Sequence, residues 1–211
     1  MLGKSNTDWR ASRHAAASAN IVAAAWELAD QHGLSGLTLR ELARRLGMAA
    51  PSLYSYFNSK HGLYDAMYAD GYRSFLALGA PATGPDLRAV LLSAAGMYVR
   101  FAADEPVKWQ LLNQRTIPGF EPSEQSFALA KEAYERTAAP LHAIADVSQR
   151  DLDLIGAVIG GLISQQLANE PGGTRWVSLL DDAVDLLVHQ IEGKSPRPVP
   201  DRGRRRTKGE A

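Results

Sequence analysis

Three observations predict an all-α fold in two parts. Apolar residues recur at spacings of three and four along nearly the whole chain, and no long alternating run marks a strand. The periodic stretches are flanked by side chains that suit helix ends. Pro81, Gly84 and Pro85 interrupt the pattern at one place, where a domain boundary is expected. At 211 residues the chain is long enough to bury a real core on either side of that break.

The elements follow in order. Residues 1–11 read as a flexible arm. A first helix fits 12–32, with Ala17, Ile21, Ala24, Ala25, Leu28 and Ala29 on one face and Gly33 just beyond its end. A second helix begins at Thr38, because Thr38-Leu39-Arg40-Glu41 spells a capping box in which the hydroxyl accepts the Glu41 amide and Glu41 reaches back. It ends near Leu46-Gly47. A third, over 50–56, has Pro51 in its first turn, where a missing N–H costs little. Asn58-Ser59 caps a fourth over 60–77. The domains expected are a head at 12–60, a connecting helix at 61–80 and a helical body at 81–192. Body helices are expected near 86–103, 107–114, 122–145, 150–169 and 174–192, with Pro140 kinking or ending the third of them. Residues 193–211, with Pro196, Pro198, Pro200 and five Arg, read as a disordered basic tail.

Composition narrows the function. The chain has no Cys, which removes disulfides, thiolate catalysis and cysteine zinc sites. His14, His32, His61, His142 and His189 show no ligand spacing, so no metal is expected. No phosphate loop and no Gly-x-Ser-x-Gly elbow occurs, and the carboxylates Asp151, Asp153, Asp181, Asp182 and Asp185 sit at helix starts, where the dipole accounts for them. No enzyme and no cofactor is expected. With no apolar run of membrane length and no leader-like start, a cytoplasmic protein without a membrane partner is the expectation. Charge is uneven. Residues 1–64 hold seven basic and four acidic side chains, and residues 65–192 hold nine and seventeen. A basic head on an acidic body suits a molecule that meets a polyanion at one end.

Residues 39–56 carry the strongest signal. Two short helices crossing through a tight turn need a small residue where they touch, a residue tolerant of positive φ in the turn, and an apolar anchor on the second helix. Ala43, Gly47 and Leu53 stand in those places, backed by Leu42, Leu46 and Met48. This is a helix-turn-helix spacing. The fuller run Leu37-Thr38-Leu39-Arg40-Glu41-Leu42-Ala43, Leu46-Gly47-Met48, Pro51 to Phe57, Lys60 and Leu63, with Ala24-Ala25-Trp26-Glu27-Leu28 before it, resembles the DNA-binding domain of tetracycline-repressor (TetR) family regulators. The resemblance covers about residues 12–68.

It implies a residue-by-residue DNA surface. Thr38 and Tyr54 resemble phosphate contacts, Lys60 matches a phosphate lysine, and Arg40 matches a position that reaches a phosphate or a guanine edge. Ala50, Pro51, Ser52 and Ser55 match the groove-facing side of a recognition helix. Tyr56 reads equally as core or as backbone contact, and Leu53 and Phe57 read as core. The small side chains at 50, 52 and 55 offer few donors, which shifts readout towards Arg40, methyl contacts and DNA shape.

For the body, the resemblance implies that the last two helices pair with a second copy. Gly156, Gly160, Ser164 and Ala168 form a small-residue stripe suited to close helix contact, within or between subunits. Trp176, Leu180, Ala183 and Leu187 offer the apolar side of the last helix. A small-molecule pocket between body helices is implied too, with Met97, Tyr98, Phe101, Trp109, Leu112, Phe127, Tyr134, His142 and Gln165 as candidates. The expected function is a ligand-responsive regulator, a repressor that binds a palindromic operator as a homodimer and leaves it when an apolar effector binds. The alternative is a helical interaction protein whose helix-turn-helix is only structural.

Overall fold

The computed structural model describes residues 6–193, and every regular element among them is helical. Apart from Gly193, the tail expected from 193 onward, and residues 1–5 of the expected arm, lie outside the described residues. Helix α1 spans Asn6–Gly36 and so begins inside the segment read as an arm. Gly33 breaks it with φ 72° and ψ 162°, where the periodicity stops. After the break, Leu34 and Leu37 turn into the core.

Helix α2 runs Leu39–Arg45 and α3 runs Ala50–Leu53. The third helix is shorter than expected because its last turn tightens. Ser55 N–H bonds to the Ser52 carbonyl, and Tyr56 and Phe57 both donate to Leu53. Helix α4 spans Lys60–Ala77 and is capped by Ser59, whose hydroxyl accepts the Gly62 amide at 3.0 Å.

The body holds α5 (Leu87–Asp104), α6 (Pro106–Asn113), α7 (Glu124–Ile144) and α8 (Gln149–Asn169). A 3₁₀ turn at Val177–Leu179 leads into α9 (Leu180–Glu192), which replaces the single helix expected from 174. Asp86 caps α5, and a full capping box of Ser148 and Asp151 starts α8. Pro140 does not end α7, which runs four residues beyond it. The cost is one ladder bond, since Pro140 has no N–H for the Arg136 carbonyl.

Two hydrophobic clusters form. The head cluster gathers Ile21, Leu28, Leu42, Leu53, Leu63 and Met67, and it includes Leu111 from α6. The body cluster gathers Phe75, Leu91, Trp109, Ile163 and Val184 among others. Tyr72 of α4 and Leu112 of α6 pack against both. They can meet because Gly71 has no side chain: a Cβ there would stand 3.1 Å from Leu112 Cδ2. Helices α4 and α6 therefore tie the two cores together, at a close contact between Gly71 and Leu112.

Candidate nucleic-acid interface and internal cavity

The head presents its chemistry on one rim. Thr38 caps α2 by accepting the Glu41 amide at 3.2 Å, and its hydroxyl proton remains free to donate outward. The reciprocal half of the expected box is not made. Glu41 instead holds Arg44, at 2.5 and 3.0 Å, which keeps its carboxyl below its ordinary range. Arg40 is exposed and has no acidic partner among the described residues. The other two α2 guanidiniums are paired, Arg44 with Glu41 and Arg45 with Glu27 of α1.

The turn after α2 is a Schellman motif. Met48 N–H bonds to the Ala43 carbonyl at 2.9 Å and Gly47 N–H to Arg44 at 3.2 Å, with Gly47 at φ 63°. This closes the last turn of α2 and sends the chain into α3 at a steep angle. Leu53 is then fully buried beside Leu42 and Ala43. Ala50, Pro51, Ser52 and Ser55 are all exposed. Ser55 Oγ donates to the Ser52 carbonyl at 2.7 Å, so part of its small capacity is spent locally. Tyr54 is 53% exposed, a large aromatic left outside the core.

Tyr56 is half-buried and stacks on His14 of α1, with ring centroids 4.7 Å apart. His14 lies within the helix expected from residue 12. The early start of α1 adds Trp9 and Arg10 to Arg13 and Asn20 around a shallow concavity beside Tyr56, with Arg13 over the Trp9 ring at 4.6 Å. Reading 1–11 as an arm hid the Trp9 and Arg10 part of this surface. Four of its residues, Arg10, Arg13, His14 and Ala17, share one helical face, which was the available signal. Lys60 lies at the first turn of α4, with Nζ donating to the Ser35 carbonyl at 3.3 Å and sitting 5.4 Å above the Tyr64 ring. That bond fixes the ammonium at the rim and leaves two of its three donors outward.

The body holds a cavity of about 170 Å³ between α5, α6, α7 and α8, open to the surface on one side. Of the nine pocket candidates, it brings together Tyr98, Trp109 and Tyr134. Asn113, Thr137, Gly156 and Gly160 also line it and were missed. The other candidates lie elsewhere. Met97 and Phe101 face a different cleft beside Pro81 and Ser93. Leu112 is wedged under Gly71. Phe127, His142 and Gln165 are on the surface, where Phe127 sits under Lys131 and Gln165 accepts from Asn169. The buried glutamine is Gln166, and its role is structural. Its Oε1 accepts the Trp176 and Val177 amides while its side-chain amide donates to the Glu170 carbonyl.

Of the residues expected on the pairing face, Ala183 and Leu187 are mostly buried within the chain yet line a shallow groove between α8 and α9, and Leu180 packs on the body core. Trp176 is half-buried under Arg175. No neighbouring atom lies within 4 Å of a Cβ placed on Gly156 or Gly160, so these glycines meet no helix of their own chain closely, and both line the cavity. Ser164 is half-buried and Ala168 exposed. The groove between α8 and α9 is also lined by Leu154 and Val158 of α8 and by Leu186 and Gln190 of α9, with Leu186 its most exposed apolar side chain. Arg88 clamps α9 to α5 through Asp181 and Asp185 at 2.9 and 2.6 Å, so these carboxylates do more than neutralise a helix dipole.

No group of His and carboxylates able to hold a metal occurs among the described residues. None of their helices is long and apolar enough to cross a membrane.

Comparison with known proteins places this geometry. Residues 21–67 match the family model described as bacterial regulatory proteins, tetR family. The tetracycline repressor protein class A from transposon 1721 of Escherichia coli is 26% identical over 185 residues, covering 87% of this chain and 84% of that one. Among solved structures, a TetR variant from Acinetobacter baumannii AYE in complex with minocycline superposes with a TM-score of 0.56 at 24% identity, covering 82% of this chain and 94% of that one. A bacterial regulatory protein in the tetR family from Rhodococcus RHA1 gives 0.57 at 21% identity, covering 83% and 96%. The fold is shared along most of both chains.

Proposed function

We propose that this chain is a regulator of the tetR type, whose family model its residues 21–67 match, with a head that binds an operator and a body that releases it. The head is residues 12–60, the connecting helix 61–80 and the body 81–192. The observation that carries the reading is what the helix-turn-helix leaves in solvent. Thr38, Arg40 and Tyr54 are exposed and Lys60 partly so, while Leu53 and Phe57 are core. A hairpin serving only to pack would have no use for an exposed tyrosine and an anchored lysine there. These groups suit phosphate oxygens, with the α4 N-terminus adding its dipole. Arg40 and the small face of Ala50, Pro51, Ser52 and Ser55 enter the major groove, so sequence is read by one long donor, by methyl contact and by groove shape.

Two heads are needed to span successive major grooves about 34–36 Å apart. The apolar strip of Leu154, Val158 and Leu186 offers the face on which a second copy pairs. Repression, with release by a small apolar effector, is supported by the name of the similar tetracycline repressor and by the minocycline held by the similar structure. The geometry offers a route for release. Trp109 of α6 lines the cavity, its neighbour Leu111 belongs to the head core, and Leu112 presses on Gly71 of α4. An effector that moves α6 moves α4, and α4 carries Lys60 and the head. Only a ligand that binds one placement of the heads better than the other shifts the balance.

The test is duplex-DNA binding across a salt series. The native chain should select its operator with a steep salt dependence. Lys60→Ala should weaken binding to all sequences and lower the slope of log affinity against log salt by about 1. Weak, sequence-blind binding at low salt by the native chain would sink the reading.

A further inference from the structure

We infer that the first turns of α1 make a second DNA contact, in which Arg10, Arg13 and His14 meet the phosphate backbone beside the half-site that α3 reads. This rests on the reading of the head as an operator-binding unit and extends its footprint.

Helix α1 runs well past the core it belongs to. Residues 9–20 hold no buried side chain, and burial begins at Ile21. That is about 18 Å of helix, at about 1.5 Å per residue, with no core to lie on. Every residue from Trp9 to Ala16 is exposed. So short a stretch gains little helical stability from itself in water, and another surface must hold it. One anchor lies inside the chain, where the His14 ring stacks on Tyr56 at 4.7 Å. Tyr56 follows the exposed Tyr54 by two residues, in the tightened turn that ends α3. The stack thus joins the projecting turns of α1 to the end of the recognition helix.

Charge selects the partner. From Trp9 to Trp26 the sequence holds Arg10, Arg13 and His14 and no Asp or Glu. Positions three and four residues from either arginine carry no acid. Neither arginine makes an ion pair among the described residues, whereas Arg44 and Arg45 of α2 are both paired. Arg10 and Arg13 stand three apart, and like charges at that spacing weaken a helix. A polyanion laid against them removes that repulsion. Trp9 is 56% exposed, and the Arg13 guanidinium stands 4.6 Å over its ring. A stacked guanidinium keeps its in-plane donors free, and their fork suits phosphate oxygens. An apolar partner finds little to grip. Besides Trp9, the exposed neutral residues up to position 20 are Ala, Ser and Asn.

The experiment uses the full chain and a duplex that the native chain has selected from a random pool, long enough to flank both half-sites. Binding is read by fluorescence anisotropy across a salt series. Arg10→Ala with Arg13→Ala should lower the slope of log affinity against log salt by about 1.8 per head, at about 0.9 per phosphate contact. At about 0.1 M salt it should weaken binding by more than about tenfold. Alanine favours helix and both positions are exposed, so the melting temperature should hold. Adding Ala15→Arg and Ala19→Arg, exposed on the opposite side of the helix, restores the net charge and should not restore affinity. Trimming the duplex to its half-sites should weaken the native chain and leave the double variant unchanged. Native affinity and slope in the double variant would overturn the inference. Recovery by the relocated arginines would do so too, by reducing the effect to net charge. A loss seen with A·T flanks and absent with G·C flanks would replace the backbone contact with minor-groove reading. If the native chain selects no duplex and binds DNA weakly at low salt, the operator reading falls and the inference with it. If it selects one that the double variant binds equally well, only the inference falls.

Discussion

Tyr64 is fully buried, and its hydroxyl donates to the Leu34 carbonyl at 2.5 Å, just past the Gly33 break. Burial pushes its phenol from the ordinary 10.0 up to about 12. A folded pKa raised above the unfolded one means the stability it supports is complete below about pH 10 and lost as pH rises through 12. Tyr64→Phe should therefore flatten the alkaline arm of a melting-temperature profile over that window. At neutral pH it should cost about 1–3 kcal/mol for the orphaned carbonyl. An unchanged alkaline arm would assign the loss to other groups. Thr38 separates stability from recognition. Thr38→Ala removes a helix cap and should cost about 1 kcal/mol in urea unfolding. Thr38→Asp keeps an acceptor for the Glu41 amide but points negative charge at phosphate, so it should retain stability and lose DNA affinity. If both variants bind DNA as the native chain does, Thr38 is a cap only.

Helix α6 is eight residues long and touches more of the molecule than its length suggests. Trp109 belongs to the body core and Leu111 to the head core, while Lys108 lies 5.7 Å over Trp26, whose indole in turn donates to Asp70 of α4 at 2.8 Å. It packs closely on α4 at Gly71, under Leu112. Gly71→Val should drive methyl groups into Leu112 and destabilise the fold by about 1–3 kcal/mol, as overpacking does. Leu112→Ala should recover part of that in the double variant, and a double-mutant cycle by denaturant unfolding reads the coupling. Strict additivity would show that the two helices do not lean on each other there. Pro140 shows the opposite case. The sequence marks it as a break, yet α7 continues through it, because Ala133, Ala138 and Leu141 pack on both sides of it and one lost ladder bond is small against that burial.

At the scale of the whole molecule, a charged end and an apolar side divide the work. Leu186 is 72% exposed on α9, and Leu154 and Val158 of α8 stand beside it. A monomer gains nothing from such a strip, whereas a symmetric pair buries it twice. Leu186→Glu should leave the melting of the single chain nearly unchanged, convert the protein to a monomer by light scattering, and abolish operator binding. A dimer that survives the charge would place the pairing face elsewhere. Ala183→Glu and Leu187→Glu, at the positions first assigned to that face, should instead unfold the body, because both side chains are buried in it.

The sequence by itself determined the helices, their caps and the helix-turn-helix, since these depend on residues within a few positions of one another. Thr38 caps Glu41, Gly47 takes positive φ, Ser59 caps Gly62 and Leu53 falls on the inner side of a short helix, all through local geometry. Tertiary structure alone decided which face of a body helix meets what. Periodicity shows that α8 and α9 have apolar sides, but Leu187 inside and Leu186 outside are neighbours on an arc too wide for spacing to divide. In the same way Trp109 lines a cavity while Phe127 covers the surface, and Gln166 is buried while Gln165 is not. Those assignments depend on how far each helix is rotated against its neighbours, and rotation is set by packing summed over the whole core.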